Sequence, residues 1–239
     1  MWKYLVDDIK IIDLIYAARW PLYLTAAAMP LAVAFGLILA LMRMSRIRIL
    51  SWPATCYIEL MRGTPLFVQL YLVYYSLPEI AGIFGPDAKQ FMTLEAFPAA
   101  VLCLAANYAA YEAEIHRAGL LAVDKGQREA ALSIGMSEWQ AFYRVTLPQA
   151  FRIVLPPIIN DAIAMQKDSC LTSAIGVKEL LSYATSRGNN NEIGKPKMYL
   201  AAGVLYTILS LAFYFLGKFI ERKLKARGGA ELNLNQARH

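Results

Sequence analysis

The sequence predicts an all-α, polytopic membrane protein of about five transmembrane helices. Three observations carry this. The 239-residue chain is 58% hydrophobic and only 18% charged, against about 25% charged in an average soluble domain. Apolar stretches long enough to cross a bilayer recur along it. Basic residues gather in short runs beside alternate stretches, so the net charge of +6 points to membrane orientation rather than nucleic-acid binding.

The elements follow in order. Residues 1–20 alternate apolar and charged positions, with Ile9, Ile12 and Ile15 or Tyr16 at helical spacing. An amphipathic helix on the membrane surface is expected there. No small-residue cleavage site follows Lys3, Asp7, Asp8 and Lys10, so no cleavable signal peptide is expected. The transmembrane unit is expected over residues 21–222. Its first span, 21–42, carries no charge and measures roughly 30 Å at about 1.5 Å per residue; Pro30 and Gly36 are tolerated within it. The second span, 53–78, is capped by Ser51 and carries Pro53 in its first turn. Glu59 and Arg62 lie three apart on one face there and can pair. The third span, 93–117, holds Asn107 at its middle and Glu112, Glu114, His116 and Arg117 at its inner end. Glu114 and Arg117, three apart, are expected to pair.

The stretch 118–148 departs from this apolar background. It carries Lys125, Arg128 and Arg144, has Gly135 at its centre, and is expected to stop at Pro148. A mixed-charge helical loop between spans belongs in water, where a soluble partner can grip it. The fourth span, 151–177, is interrupted by Asn160, Asp161, Lys167 and Asp168, and the fifth runs over 198–217. Residues 223–239 are expected to be a cytoplasmic tail, frayed from Gly228. Basic runs follow the first, third and fifth spans, which places the N-terminus outside, the C-terminus in the cytoplasm, and the 118–148 loop in the cytoplasm.

Several chemistries are excluded. Cys56, Cys103 and Cys170 form no CxxC, and the only histidines are His116 and His239. No catalytic residue and no metal site are therefore expected. There is no GxxxxGK[ST] phosphate loop, so any ATP chemistry belongs to another chain.

Two regions are candidates for function. A charge at the bilayer centre costs about 2.5–3.5 kcal/mol, so Asp161, Lys167 and Asp168 should face the protein interior or a water-filled cavity. Asp161 and Asp168, seven apart, share a helix face, as do Asn160 and Lys167. Lys167 can meet an anionic group of a solute, and Asp168 or Asp161 a cationic one. The alternative is an ion pair of Lys167 with Asp168 or Asp161 that only holds the span together. Glu112, with no evident partner, joins Asn160, Asp161, Lys167 and Asp168 as a substrate-pathway candidate. In the loop, Ala130 and Ala131 permit close approach of another surface and Gly135 permits a sharp turn. Ser137-x-x-Gln140 fits a capping box for a second short helix.

Glu129-Ala130-Ala131, three residues, Gly135, nine residues, then Val145-x-Leu147-Pro148 resembles the EAA loop of ABC importer permeases. Arg62-Gly63-Thr64-Pro65-Leu66-Phe67-Val68-Gln69-Leu70 resembles the second-span signature of the polar amino acid permeases. Tyr111-x-x-Glu114-Ile115-x-Arg117, Lys125-Gly126-Gln127, Lys167-Asp168-Ser169 and Ile175-Gly176-Val177-x-Glu179-Leu180 resemble the same group. The chain departs from it at Glu112, Gln166 and Cys170. The resemblance implies a type I ABC importer permease fold in the bacterial inner membrane. Glu129, Ala130, Ala131 and Gly135 would couple it to an ATPase. The implied partners are a second permease, identical or paralogous, two ABC ATPase subunits holding ATP and Mg, and an extracytoplasmic substrate-binding protein. The implied cargo is a polar, and on the carboxylates a basic, amino acid. The competing reading is a stand-alone secondary transporter or channel, which five spans without an inverted repeat do not favour.

Overall fold

A computed structural model of the chain describes residues 11–190 and 195–236. Most of the segment 1–20 therefore lies outside the described residues; its described part opens with helix α1, Ile11–Ala17. The helices that follow are α2 (Arg19–Met44), α3 (Arg48–Gly63), α4 (Leu66–Tyr71), α5 (Leu77–Gly82), α6 (Pro86–Met92) and α7 (Ala96–Ala122). The chain continues with α8 (Lys125–Ser133), α9 (Glu138–Ala141), α10 (Leu147–Asp168), α11 (Leu180–Asn190) and α12 (Lys195–Gln236). No strand occurs among the described residues. The segments Asp13–Met44 and Pro196–Lys223 are each long and apolar enough to cross a membrane. The pair α6 and α7, bent by 75° at Thr93–Glu95, makes a third.

The core is the seam between α2 and α7. On α2 the buried positions Leu24, Ala28, Ala32, Gly36 and Ala40 recur every four residues and lie on one stripe. They meet Ala99, Ala100, Cys103, Ala109, Ala110 and Ala113 of α7. Small residues let the two backbones approach closely, which is how helices gain dispersion contacts where burial from water supplies no driving force. The helices run parallel. Trp20 packs on Phe97 at 5.8 Å between ring centroids, Gly36 lies against Ala109, Glu112 and Ala113, and Arg43 pairs with Glu114. Parallel first and third spans require an antiparallel span between them, as the expected topology has it.

That intervening span is not one rod. The sequence predicts a helix over 53–78, whereas the structure starts α3 at Arg48 and breaks it at Thr64-Pro65. Ser51 is inside the helix rather than its cap. The break has a local cause. Pro65 has no N–H to give to the carbonyl four residues back, and its ring pushes Thr64 into an extended conformation, φ −117° and ψ 143°.

Proline also explains two wide turns. Leu72–Ser76 and Phe142–Thr146 are π-helical, and each ends one residue before an X-Pro step, Leu77-Pro78 and Leu147-Pro148. The N–H of Leu77 reaches Leu72 O and that of Leu147 reaches Phe142 O, five residues back. The extra residue per turn makes room for the proline ring. Pro148 therefore does not stop the helix, as the sequence suggests. It enters the first turn of α10, where a missing N–H costs least.

Two further expectations change. Asn160, Asp161, Lys167 and Asp168 do not interrupt the fourth span: α10 runs unbroken to Asp168 and tightens to a 3₁₀ helix over Ser169–Ile175. Gly176, at φ +91°, ends it. The backbone of α12 stays helical to Gln236, past Gly228 where fraying is expected.

Candidate functional site: a cavity at the broken second span and an exposed helical loop

The break at Pro65 opens onto a cavity of about 530 Å³. Its walls come from Arg62–Leu66 at the break, from Asn107, Tyr108 and Tyr111 of α7, and from Asp161, Ala164 and Asp168 of α10. Asp161 and Asp168 share a face of α10, as their spacing of seven predicts. Asp168 accepts a hydrogen bond from the Tyr108 hydroxyl at 2.7 Å. Asp161 Oδ2 is buried and has no hydrogen-bond partner. Arg62 lies with its guanidinium carbon 5.5 Å from the centroid of the Tyr111 ring. The cavity thus has two carboxylates on one wall and a guanidinium on another, with phenol rings between. Such a lining offers charges of both signs to a solute.

The other predicted pathway residues lie elsewhere. Asn160 and Lys167 are exposed and do not line the cavity. No ion pair of Lys167 with Asp161 or Asp168 forms among the described residues, so the alternative of an ion pair that holds the span together is not seen either. Glu112 is fully buried against Gly36 in the α2–α7 seam, not on the cavity wall. His116 Nε2 lies 3.9 Å from its carboxylate, beyond hydrogen-bond distance, and 3.1 Å from Val33 O, and neither Glu112 oxygen has a hydrogen-bond partner.

The ion pairs differ too. Glu59 does not pair with Arg62. It pairs with Arg43 of α2 at 3.2 Å, and the Arg43 guanidinium also bonds Glu114. Glu114 pairs with Arg117 at 2.8 Å, as predicted. One arginine from the end of α2 therefore ties α3 and α7 together, and Arg62 is left to the cavity. Spacing along one helix shows Glu59 near Arg62 but cannot show a closer cation on another helix. Tyr108 and Tyr111 are not among the predicted site residues; three apart, they share a face of α7.

The 118–148 loop folds as a compact helical hairpin. Asp124 caps α8 by accepting from Gly126 N at 2.8 Å. At its other end the N–H of Met136 reaches Ala131 O at 3.1 Å and that of Gly135 reaches Leu132 O at 3.0 Å. This is a Schellman ending, which requires a left-handed residue, and Gly135 sits at φ +88°. Ser137 and Gln140 form the predicted capping box of α9, with bonds of 3.3 and 3.0 Å. Arg128 bridges to Glu138 at 2.6 Å and locks the two helices. Ala131 is buried, whereas Glu129 and Ala130 are exposed, and the Glu129 carboxylate makes no ion pair among the described residues. Ile134, Trp139 and Tyr143 are exposed beside it, Trp139 and Tyr143 stacked at 6.4 Å. A charge and an aromatic face are thus held rigidly outward. Ser137→Ala removes one bond of the capping box and is expected to cost about 1 kcal/mol of local stability, read as faster amide hydrogen exchange over residues 137–141.

The helical bundle with a broken second span and an exposed, capped loop after the third has the type I ABC importer permease fold, as comparison with known proteins shows. The chain belongs to the family of binding-protein-dependent transport system inner membrane components, which matches residues 32–226. It is 38% identical over 221 residues to the L-cystine transport system permease protein TcyB of Bacillus subtilis (strain 168), covering 89% of this chain and 90% of that one. It is 37% identical over 193 residues to the arginine transport system permease protein ArtQ of the same organism, covering 80% and 83%. Its fold superimposes on a chain of the crystal structure of an amino acid ABC transporter with histidines with a TM-score of 0.79. That match has 37% identity and covers 91% of this chain and 99% of the other.

Proposed function

We propose that this chain is the membrane-spanning subunit of an ATP-driven importer that carries a polar amino acid, basic ones favoured, into the cytoplasm by alternating access. The observation that carries the reading is the cavity, with Asp161 and Asp168 facing Arg62 across phenol rings, on the same chain as a rigid exposed loop. Arg62 takes the α-carboxylate of the solute. Asp168 and Asp161 take the ammonium or a cationic side chain. The loop, through Glu129, Ala130, Ala131 and Gly135, docks a separate ATPase that holds ATP and Mg; this chain does no chemistry itself. A second permease, identical or paralogous, two such ATPases and an extracytoplasmic binding protein complete the assembly. The basic runs put the N-terminus outside and the C-terminus inside. Relatives that transport arginine and L-cystine support a polar cargo.

The test is uptake of labelled arginine and L-cystine into vesicles holding the chain, its ATPase and its binding protein. ATP-dependent uptake of either is the expected result. Uptake driven by an ion gradient with the chain alone would point instead to a secondary transporter. Asp168→Asn keeps the hydrogen bond with Tyr108 but removes the charge. It is expected to raise the KM for arginine on the order of tenfold and to change that for L-cystine less, since charge-assisted bonds are about twice as strong as neutral ones.

A further inference from the structure

The break in the second span leaves helix carbonyls without their usual donors. Pro65 cannot donate to Met61 O, and the extended Thr64 no longer donates its N–H to Leu60 O. Side chains take over both tasks. The Thr64 hydroxyl donates to Leu60 O at 2.8 Å. The Gln69 amide donates to Met61 O at 2.9 Å, and also lies 2.7 Å from Thr64 Oγ1 and 3.2 Å from Thr64 O. Asn107, reaching across from α7, donates to Gln69 Oε1 at 2.9 Å and approaches Met61 O at 3.3 Å. Gln69 is 6% exposed and Asn107 4%, so both amides are largely shielded from bulk water.

The arrangement is more than repair of a kink. Both amides span the break: one grips it from the following half-helix, the other from the third span. The residues they hold, Arg62 to Leu66, form one wall of the cavity, and Asn107 itself is part of the wall. Tyr108, the next residue, holds Asp168 on the opposite wall. A carboxamide pair therefore sets the distance between the wall that carries Arg62 and the wall that carries Asp168.

Building on the permease reading above, we infer that Gln69 and Asn107 are positioning residues, which hold the broken second span in the shape that fits the transported solute. Gln69 touches the frame of the cavity and acts through it; Asn107 bonds Gln69 and is itself part of the wall. Gln69→Met keeps the length of the side chain and removes the amide. It is expected to raise the KM of ATP-driven uptake on the order of tenfold, the effect of leaving one buried carbonyl unbonded. Vmax and the ATPase rate without solute should change less than twofold.

The second arm separates positioning from simple stability. Pro65→Ala, added to Gln69→Met, returns a backbone N–H that can bond Met61 O. It is expected to restore the thermal stability of the purified complex and to leave the KM high, because a straightened helix satisfies the carbonyl but moves the wall. Restoration of both by Pro65→Ala, or an unmoved KM in Gln69→Met, overturns the inference. The wild-type complex tells its failure from failure of the permease reading. If wild type shows no ATP-driven uptake of arginine or L-cystine, the permease assignment falls and the inference with it. If wild type transports and the variant KM does not move, only the inference falls.

Discussion

Gly135→Val is expected to abolish ATP-coupled uptake while leaving the membrane helices folded. Gly135 sits at φ +88° and supplies the left-handed residue on which the Schellman ending of α8 depends. Space is not the obstacle, because a Cβ there meets nothing within 4 Å. Backbone strain is: a left-handed residue with a Cβ costs about 1–2 kcal/mol, and a β-branched one lies at the unfavourable end. The loop relieves that strain by changing the turn, which swings α9 away from α8 and moves Trp139 and Tyr143 relative to Glu129. A docked ATPase then meets the wrong surface. Uptake should fall at least tenfold, and ATP hydrolysis should no longer respond to the loaded binding protein. Glu129→Ala removes the exposed charge without changing the turn and should weaken coupling less. Full coupling in Gly135→Val would show that the loop shape does not matter and would overturn the docking role given to it.

Gly36→Leu should have the largest effect on the fold. A Cβ at Gly36 would stand 2.5 Å from Glu112 Cβ and 3.0 Å from both Ala109 O and Ala113 N. Two of these three atoms are backbone and cannot rotate aside. Leucine must therefore push α2 and α7 apart along the seam that holds the core, at a cost of about 3 kcal/mol, the upper end of overpacking penalties. Separation also pulls Arg43 from Glu114 and uncovers the buried Glu112 and His116. The measurement is the yield of monodisperse complex after heating in detergent. Gly203→Leu is the control, since a Cβ there meets nothing within 4 Å. Equal loss from both variants would mean that α2 and α7 are not closely packed at Gly36.

Much of this was readable along the chain. The first and fifth spans follow from their uninterrupted apolar runs, and the capping box from Ser137 and Gln140 at their fixed offset. Gly135 stood out because only glycine takes a left-handed turn without strain. Asp161 and Asp168 were legible as a pair because a helix repeats its faces every seven residues. The misreadings share a cause. Glu59 is matched to Arg62 because spacing shows only partners on the same helix. The actual partner of Glu59 is Arg43, sixteen residues away, and that of Asp168 is Tyr108, sixty residues away. Glu112 is assigned to the substrate pathway because spacing offers it no evident partner, and spacing does not show that it faces α2.

The sequence by itself determined the membrane class, the polar loop, its turn and caps, and the carboxylates that cannot face lipid, because each follows from local chemistry or from a helical repeat. Only the tertiary structure decided that Pro65 breaks the second span open onto a cavity, that Arg62 and Asp168 wall it, and that amides of Gln69 and Asn107 hold the break. Those facts depend on which helix faces which. That is settled by close packing of small residues between α2 and α7, a relation no single stretch of the chain contains.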